Sequence, residues 1–244
     1  VLPTIDSTNT ELMRRARAGT LSPTLLVALS QTAGRGRRGK AWVSAPGDSL
    51  TFSLGLPLAP VDWSGLSLAV GVSLADSLHP EVRLKWPNDL WWHGRKLGGI
   101  LVETASFVAP QTVASQASTS TARYVVVGIG INVLPRSPEG MSMPPGSLQD
   151  VEPGLDAPAA LLRIVPPLVA MLQGFEACGF APVQPRFAAR DVLQGRPVTL
   201  SDGQTGTAHG VGEDGALLVH TAQGMQAVTS AEISVRPAVV AAPL

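Results

Sequence analysis

Apolar residues in this chain come in short blocks separated by breaks bearing glycine and proline, and their spacing changes character near residue 194. Residues 24–30 and 50–58 are compact apolar runs of strand length, and residues 63–78 carry apolar and small side chains at the spacing of a long helix. Residues 82–86 alternate as a strand before Pro87-Asn88-Asp89 turns the chain. Residues 96–103, apolar around Gly98-Gly99, and residues 123–133, ending in Gly128-Ile129-Gly130-Ile131-Asn132, are further strands whose glycines clear space on one face. Residues 159–180 have helical spacing, with Pro166 and Pro167 expected to bend or interrupt the helix, and a shorter helix is expected near 183–192. At the start, Ser7-Thr8-Asn9-Thr10-Glu11 supplies an N-cap and a capping box ahead of Leu12, Met13 and Ala16, with Gly19 as the stop. Residues 105–122 are expected to form a long hairpin loop, and residues 134–158, dense in proline and glycine, to be irregular. After Gly195 come short alternating runs at 197–200, 207–211, 216–221 and 226–229, parted by Asp202-Gly203, Asp214-Gly215 and Gln223-Gly224. That is the pattern of a small barrel built from hairpins. The expected organisation is a first domain over residues 1–193 and a barrel over residues 194–244.

Composition narrows the class. A chain of 244 residues with 45% hydrophobic content can bury a core without staples. Cys178 is the single cysteine, so an internal disulfide is excluded; it is expected to be buried in a helix, in a protein of the reducing cytoplasm. No apolar run approaches the roughly 20 residues that cross a bilayer, and no signal peptide is recognisable, so no membrane partner is expected. With 18 basic and 18 acidic residues the net charge is zero, so any basic function must be local. Only Lys40, Lys85 and Lys96 are lysines; the other 15 basic residues are arginines. All five tryptophans precede residue 93 and are expected mostly in packing roles. The four histidines show no ligand spacing, and no structural metal is expected.

The densest chemistry lies in Gln31-Thr32-Ala33-Gly34-Arg35-Gly36-Arg37-Arg38-Gly39-Lys40. As G-x-G-x-x-G this segment could be a dinucleotide turn, but the residues that follow are a poor helix start. As a Walker loop it fails at Ala41, where a hydroxyl should hold magnesium. What remains is a glycine-hinged loop carrying guanidinium forks suited to carboxylates and phosphates, or else a solvated basic loop.

Gly34-Arg35-Gly36-Arg37-Arg38-Gly39, Lys85-Trp86-Pro87-Asn88-Asp89, Lys96-Leu97-Gly98-Gly99-Ile100-Leu101-Val102-Glu103 and Gly128-Ile129-Gly130-Ile131-Asn132 follow the order and spacing seen in biotin protein ligases. The resemblance covers nearly the whole chain, including Ser7-Thr8-Asn9 and the terminal barrel. It implies an α/β (α+β) fold: a class II synthetase-like mixed sheet with flanking helices, followed by an SH3-like β-barrel. The implied reaction uses ATP and Mg2+ to convert biotin to biotinyl-5'-AMP, and then transfers biotin to a lysine of a biotin carboxyl carrier domain of a biotin-dependent carboxylase.

The resemblance also implies site residues. Ser7, Thr8, Asn9 and Gln31 would bind the ureido head of biotin, and Gly128 and Gly130 would make room for its bicyclic ring. Arg35 and Arg37, with the Gly34 and Gly36 amides, would clamp the adenylate. Lys96 would bridge the biotin carboxyl and the α-phosphate, acting with Arg37 as the catalytic groups. Asn88, Asp89 and Asn132 are candidates for orienting magnesium, nucleotide or acceptor lysine, or are simply turn and strand-end residues. Many relatives carry an N-terminal DNA-binding domain; this chain starts at Val1 almost directly in the catalytic domain, so no DNA partner is expected. Some members place an aromatic under adenine where this chain has Pro144 and Pro145. Monomer and homodimer both remain open. Two other functions compete: lipoyl or octanoyl transfer on the same fold, and nucleic-acid binding through Arg35, Arg37 and Arg38. Neutral charge, a single tyrosine and the lack of a basic stripe oppose the second.

Overall fold

The computed structural model describes residues 1–106, 122–136 and 145–229, together with the backbone of residues 235–237. The expected loop at 105–122 and Pro144 therefore fall largely outside the described residues.

The first sheet has seven strands: β1 (Leu2–Ile5), β2 (Thr24–Gln31), β3 (Ser49–Leu58), β4 (Arg83–Lys85), β5 (Asp89–Trp92), β6 (Arg95–Ser106) and β7 (Arg123–Asn132). Their order is β1-β2-β3-β7-β6-β5-β4. Among the described strands of this sheet only β1 and β2 run parallel; the other pairs are antiparallel, which makes the sheet mixed. Strand β7 is central because its alternate residues bury on both faces, as its near-continuous apolar run requires.

The two faces differ in what covers them. Leu50, Phe52 and Leu54 of β3, with Val125, Val127, Ile129 and Ile131 of β7, join the main core with helices α2 (Leu66–Leu78) and α4 (Ala157–Cys178). On the opposite face, helix α1 (Thr8–Arg17) packs Leu12, Met13 and Ala16 against Leu26, Tyr124 and Val126. The first turn of helix α1 reaches Gly128 through Asn9, and the positions that continue the same alternation, Ser49, Thr51 and Gly130, are buried beyond it, with the Trp42 indole on Gly130.

Several expectations change at this level. The cap of α1 is Ser7, whose hydroxyl accepts from the Thr10 amide, so Glu11 lies one position too late for a capping box and pairs with Arg14 and Arg15 instead. Helix α4 runs through Pro166 and Pro167 unbroken. Both prolines are exposed, so water can serve the carbonyls they leave without an amide partner. The same 22-residue helix is long and apolar enough to cross a membrane by length and composition. Its Ile164, Leu168, Leu172 and Phe175 stripe is instead buried in the core. Cys178 lies in the helix as expected but is exposed at its last turn. A short helix α3 (Leu148–Val151), with a Ser147–Asp150 capping box, interrupts the stretch expected to be irregular. The helix expected near 183–192 is only α5 (Gln184–Ala188).

The second sheet is antiparallel, in the order β11-β10-β9-β8-β12, from β8 (Pro197–Leu200), β9 (Thr205–Val211), β10 (Leu217–Thr221), β11 (Gly224–Val228) and β12 (Val235–Pro237). It is joined to the first sheet through the main core, which includes Val198, Ala208, Leu217 and Val219. Leu84 of β4 bridges Asp191 in the connecting segment, with the Leu84 amide donating to the Arg190 carbonyl at 2.9 Å and the Val192 amide to the Leu84 carbonyl at 2.9 Å. The Trp86 indole N–H donates to the Gly215 carbonyl at 3.1 Å, within the buried boundary between the sheets. Gly215 itself has φ 76 and lies against Gly65.

Candidate functional site

Where the first turn of α1 meets the sheet there is a buried polar corner. Thr8 and Asn9, in the first turn of α1, are buried. The amide and hydroxyl of Thr8 both donate to the Gln31 side-chain oxygen, at 2.7 and 3.1 Å. Asn9 Nδ2 donates to Glu103 Oε2 at 2.9 Å and to the Leu101 carbonyl at 3.2 Å. Ser53 of β3 is fully buried and lies 2.7 Å from Thr8 Oγ1 and 2.6 Å from Asn9 Oδ1, sharing its one proton between them. Ser7 caps the helix and orients the other two rather than joining their network. Thr8, Asn9 and Gln31 thus form one connected set, which rigid buried polar groups require.

Beside it lies a patch where buried polar atoms have no partner. Trp42 Nε1, Ser49 Oγ and Thr51 Oγ1 are buried without a hydrogen bond. Thr51 pairs with Gly130 across the sheet, and the Trp42 indole lies directly on Gly130, where a side chain would collide with it. A side chain at Gly128 would collide with the Asn9 carboxamide in the same way. The space that these glycines clear is therefore taken by Asn9 and Trp42, which become the inner wall of the site. Unpaired buried donors and acceptors are costly without a partner, and their grouping around Gly130 marks the patch as one where a polar ligand is expected to bind.

The cations converge from three directions. Residues 34–42 fold back on themselves, with the Gly36 amide donating to the Lys40 carbonyl at 2.7 Å and the Trp42 amide to the Gly34 carbonyl at 2.9 Å. At its tip a single 3-10 turn (Arg37–Gly39) contains Arg38 at φ 56, ψ 36, a left-handed conformation unfavourable for a residue with a side chain. Arg37 Nη1 donates to Asn88 Oδ1 at 3.4 Å. Burial pulls the Arg37 pKa down, opposed by the charge of Asp89, and neighbouring Arg38 adds to the fall. Lys96 of β6 donates to Asp89 Oδ1 at 2.6 Å. Arg35 pairs with Glu103 at 3.2 Å, so Glu103 ties the loop to Asn9.

The turn at 87–89 is fixed by Asn88, whose side-chain amide donates to the Ile100 carbonyl at 2.8 Å. Asn132 donates to the Gly146 carbonyl at 3.0 Å and to the Lys96 carbonyl at 3.4 Å, pinning the backbone of Lys96 rather than presenting its carboxamide to a ligand. Pro145 bridges Lys96 from the other side. Of the other lysines, Lys85 places its ammonium 5.4 Å from the centroid of the Trp91 ring, and Lys40 is exposed on the arginine loop. A separate surface cavity of about 610 Å³ lies on the opposite face of the sheet, between α2 and α4, and none of these residues line it.

Sequence reasoning missed Ser53, Thr51 and Trp42. A signal for the first two was present, because Ser49-Leu50-Thr51-Phe52-Ser53-Leu54 alternates polar and apolar inside a strand that is buried on both faces. Trp42 gave none, since its position depends on how the loop folds back.

The chain matches known proteins along most of its length. Residues 1–132 match the Biotin/lipoate A/B protein ligase family, and residues 194–236 match the Biotin protein ligase C terminal domain. The biotin--[acetyl-CoA-carboxylase] ligase of Paracoccus denitrificans is 32% identical, covering 96% of this chain and 98% of its own length. The chain belongs to the biotin protein ligase family. The bifunctional ligase/repressor BirA of Escherichia coli (strain K12) is 37% identical over 98% of this chain and 74% of its own. Among solved structures, the biotin protein ligase from Aquifex aeolicus in complex with biotin and ATP superposes with a TM-score of 0.77 at 30% identity, covering 97% of both chains. The mixed sheet followed by a small antiparallel sheet is the architecture of this ligase family.

Proposed function

We propose that this chain activates biotin with ATP and transfers it to a lysine of a biotin carboxyl carrier domain of a biotin-dependent carboxylase. The observation that carries the reading is the meeting of two features on one face of the sheet. The polar patch around Gly128 and Gly130 adjoins the cations, since Gly130 pairs with Gly99 and Lys96 Nζ lies 3.4 Å from where a side chain at Gly99 would begin, so a ligand seated in the first would turn its carboxylate toward the second.

In the first step a biotin carboxylate oxygen attacks the α-phosphorus of ATP and pyrophosphate leaves. Negative charge on the α-phosphoryl group is greatest in the transition state, so fixed cations there lower the barrier. Lys96 would exchange Asp89 for that phosphate, and Arg37, with the Gly34 amide, would close over it; the Gly36 amide is given to the Lys40 carbonyl and would have to leave it to join them. Thr8, Asn9 and Gln31 would meet the ureido head through the network they share with Ser53, and Trp42 would be the apolar wall for the bicyclic ring. In the second step the acceptor amine attacks the acyl carbon and AMP departs.

Magnesium enters with the nucleotide in this reading. Among the described residues there is no group of three or more His, Cys, Asp or Glu that could hold a metal ion. Asp89 and Asn88 offer the one or two oxygen ligands that suit an ion carried mainly by phosphates, which would neutralise charge on the departing pyrophosphate.

The C-terminal domain match favours biotin over lipoyl or octanoyl substrates. The nucleic-acid reading finds no support in these matches, and the neutral net charge opposes it. The test is incubation with biotin, ATP and Mg2+, followed by addition of a carrier domain. Biotinyl-5'-AMP and then a biotinylated carrier are expected; no pyrophosphate release under these conditions would overturn the assignment.

A further inference from the structure

The three arginines of the loop hold three different parts of the molecule, and one of them reaches the barrel. Arg35 is held by Glu103 of β6 and Arg37 by Asn88 of the turn at 87–89. Arg38 Nη1 donates to Ser201 Oγ at 3.2 Å, across a sequence separation of 163 residues. Ser201 opens the turn between β8 and β9, so it belongs to the second sheet. The left-handed backbone at Arg38 is what sends adjacent guanidinium groups to different places, Arg37 into the site and Arg38 to the barrel. Glycine would adopt that conformation freely, so an arginine there calls for a contact that rewards it.

The barrel also grips the other side of the site. Trp86, two residues before Asn88, donates to the Gly215 carbonyl at 3.1 Å. The contacts close into a ring: barrel to Trp86, the turn at 87–89 to Arg37, and Arg38 back to the barrel. We propose that Arg38 and Ser201 are a positioning pair through which the C-terminal barrel holds the arginine loop over the adenylate. This rests on the ligase reading above. The bond is neutral at its acceptor and exposed at its donor, so it biases the loop without locking it, as a lid that opens every turnover requires.

Two measurements separate this inference from the assignment beneath it. The first needs no chemistry: hydrogen exchange at the Gly36 amide, which bonds the Lys40 carbonyl, in ligand-free protein. Ser201→Ala should speed exchange there about three- to tenfold, the range expected for losing one such bond. The second is dissociation of preformed biotinyl-5'-AMP, which should quicken by a similar factor in Ser201→Ala while the rate of adenylate synthesis at saturating biotin and ATP stays unchanged. Arg38→Ala should release at least as fast as Ser201→Ala, and the double variant should be no faster than Arg38→Ala alone. Arg38→Gly should also release faster while its melting temperature holds or rises, because the backbone strain is relieved; a merely structural role would lower it. Unchanged exchange and release in Ser201→Ala, or additive effects in the double variant, would overturn the pairing. Absence of any adenylate from the wild type would overturn the ligase reading, and the exchange result would still judge the pair.

Discussion

Lys96 and Asp89 lie 2.6 Å apart with the lysine side chain about one-third exposed, an ion pair that a phosphate oxygen can enter. Removing the ammonium leaves Asp89 beside the incoming negative charge. Lys96→Ala should therefore slow pyrophosphate release by roughly 10²- to 10³-fold with an unchanged melting curve. Lys96→Arg should fail as well, since a planar fork does not fit a position built for a point charge; a variant at normal rate would reduce Lys96 to a structural role. Asp191 shows the opposite electrostatics. Burial pushes its carboxyl up to about 6 from an ordinary 3.8, its Oδ2 has no partner, and its Oδ1 accepts from the Leu193 amide at 2.8 Å. The folded state holds the proton more tightly than the unfolded chain, so this contribution is intact below about pH 4 and is lost as pH rises through about 6. Asp191→Asn should stabilise the protein at pH 7.5 by up to about 3 kcal/mol, with the gain vanishing near pH 4. Urea titrations of both proteins across that range check it; an equal gain at both ends would refute the argument.

At the scale of elements, the arginine loop has a composition legible in the sequence and a form that is not. Glycine spacing and guanidinium groups announced an anion site, yet nothing in Gly34-Arg35-Gly36-Arg37-Arg38-Gly39 foretold that the loop would lay Trp42 on Gly130. Arg37→Gly should leave synthesis partly intact but speed loss of preformed biotinyl-5'-AMP at least about tenfold, because a charge-assisted contact disappears. Biotin on a bystander protein is the readout, and labelling confined to the carrier would count against a retaining role. Apolar spacing located most strands and the helices at 66–78 and 157–178, since burial fixes their periodicity. It missed β1 and β5, four residues each, which are too short to show a period and exist because a neighbouring strand pairs with them. The proline pair misled for a related reason: its cost depends on whether water reaches the carbonyls it leaves unpaired, and that is a property of the fold.

At the scale of the whole molecule, one core runs beneath both sheets, and Gly215 lies where they touch. A side chain there would meet the Gly65 backbone at 2.7 Å in a conformation, φ 76, that only glycine adopts easily. Gly215→Ala should cost about 2 kcal/mol or more and weaken the coupling between the sheets. Denaturation followed by Trp fluorescence and by circular dichroism should give coincident transitions in the wild type and separated ones in the variant; coincident curves in both would show that the contact is dispensable.

The placement of Lys40, Lys85 and Lys96 has a consequence for an enzyme whose product is a reactive acyl phosphate. Arginine stands at every other basic position and does not take part in amide formation. Of the three ε-amines, one is tied to Asp89 and one lies over an indole, so most of the surface offers a wandering mixed anhydride nothing to acylate. The side chains thus make it a poor victim of its chemistry, and an amine-directed reagent applied to it would report, among side chains, almost entirely on the working end.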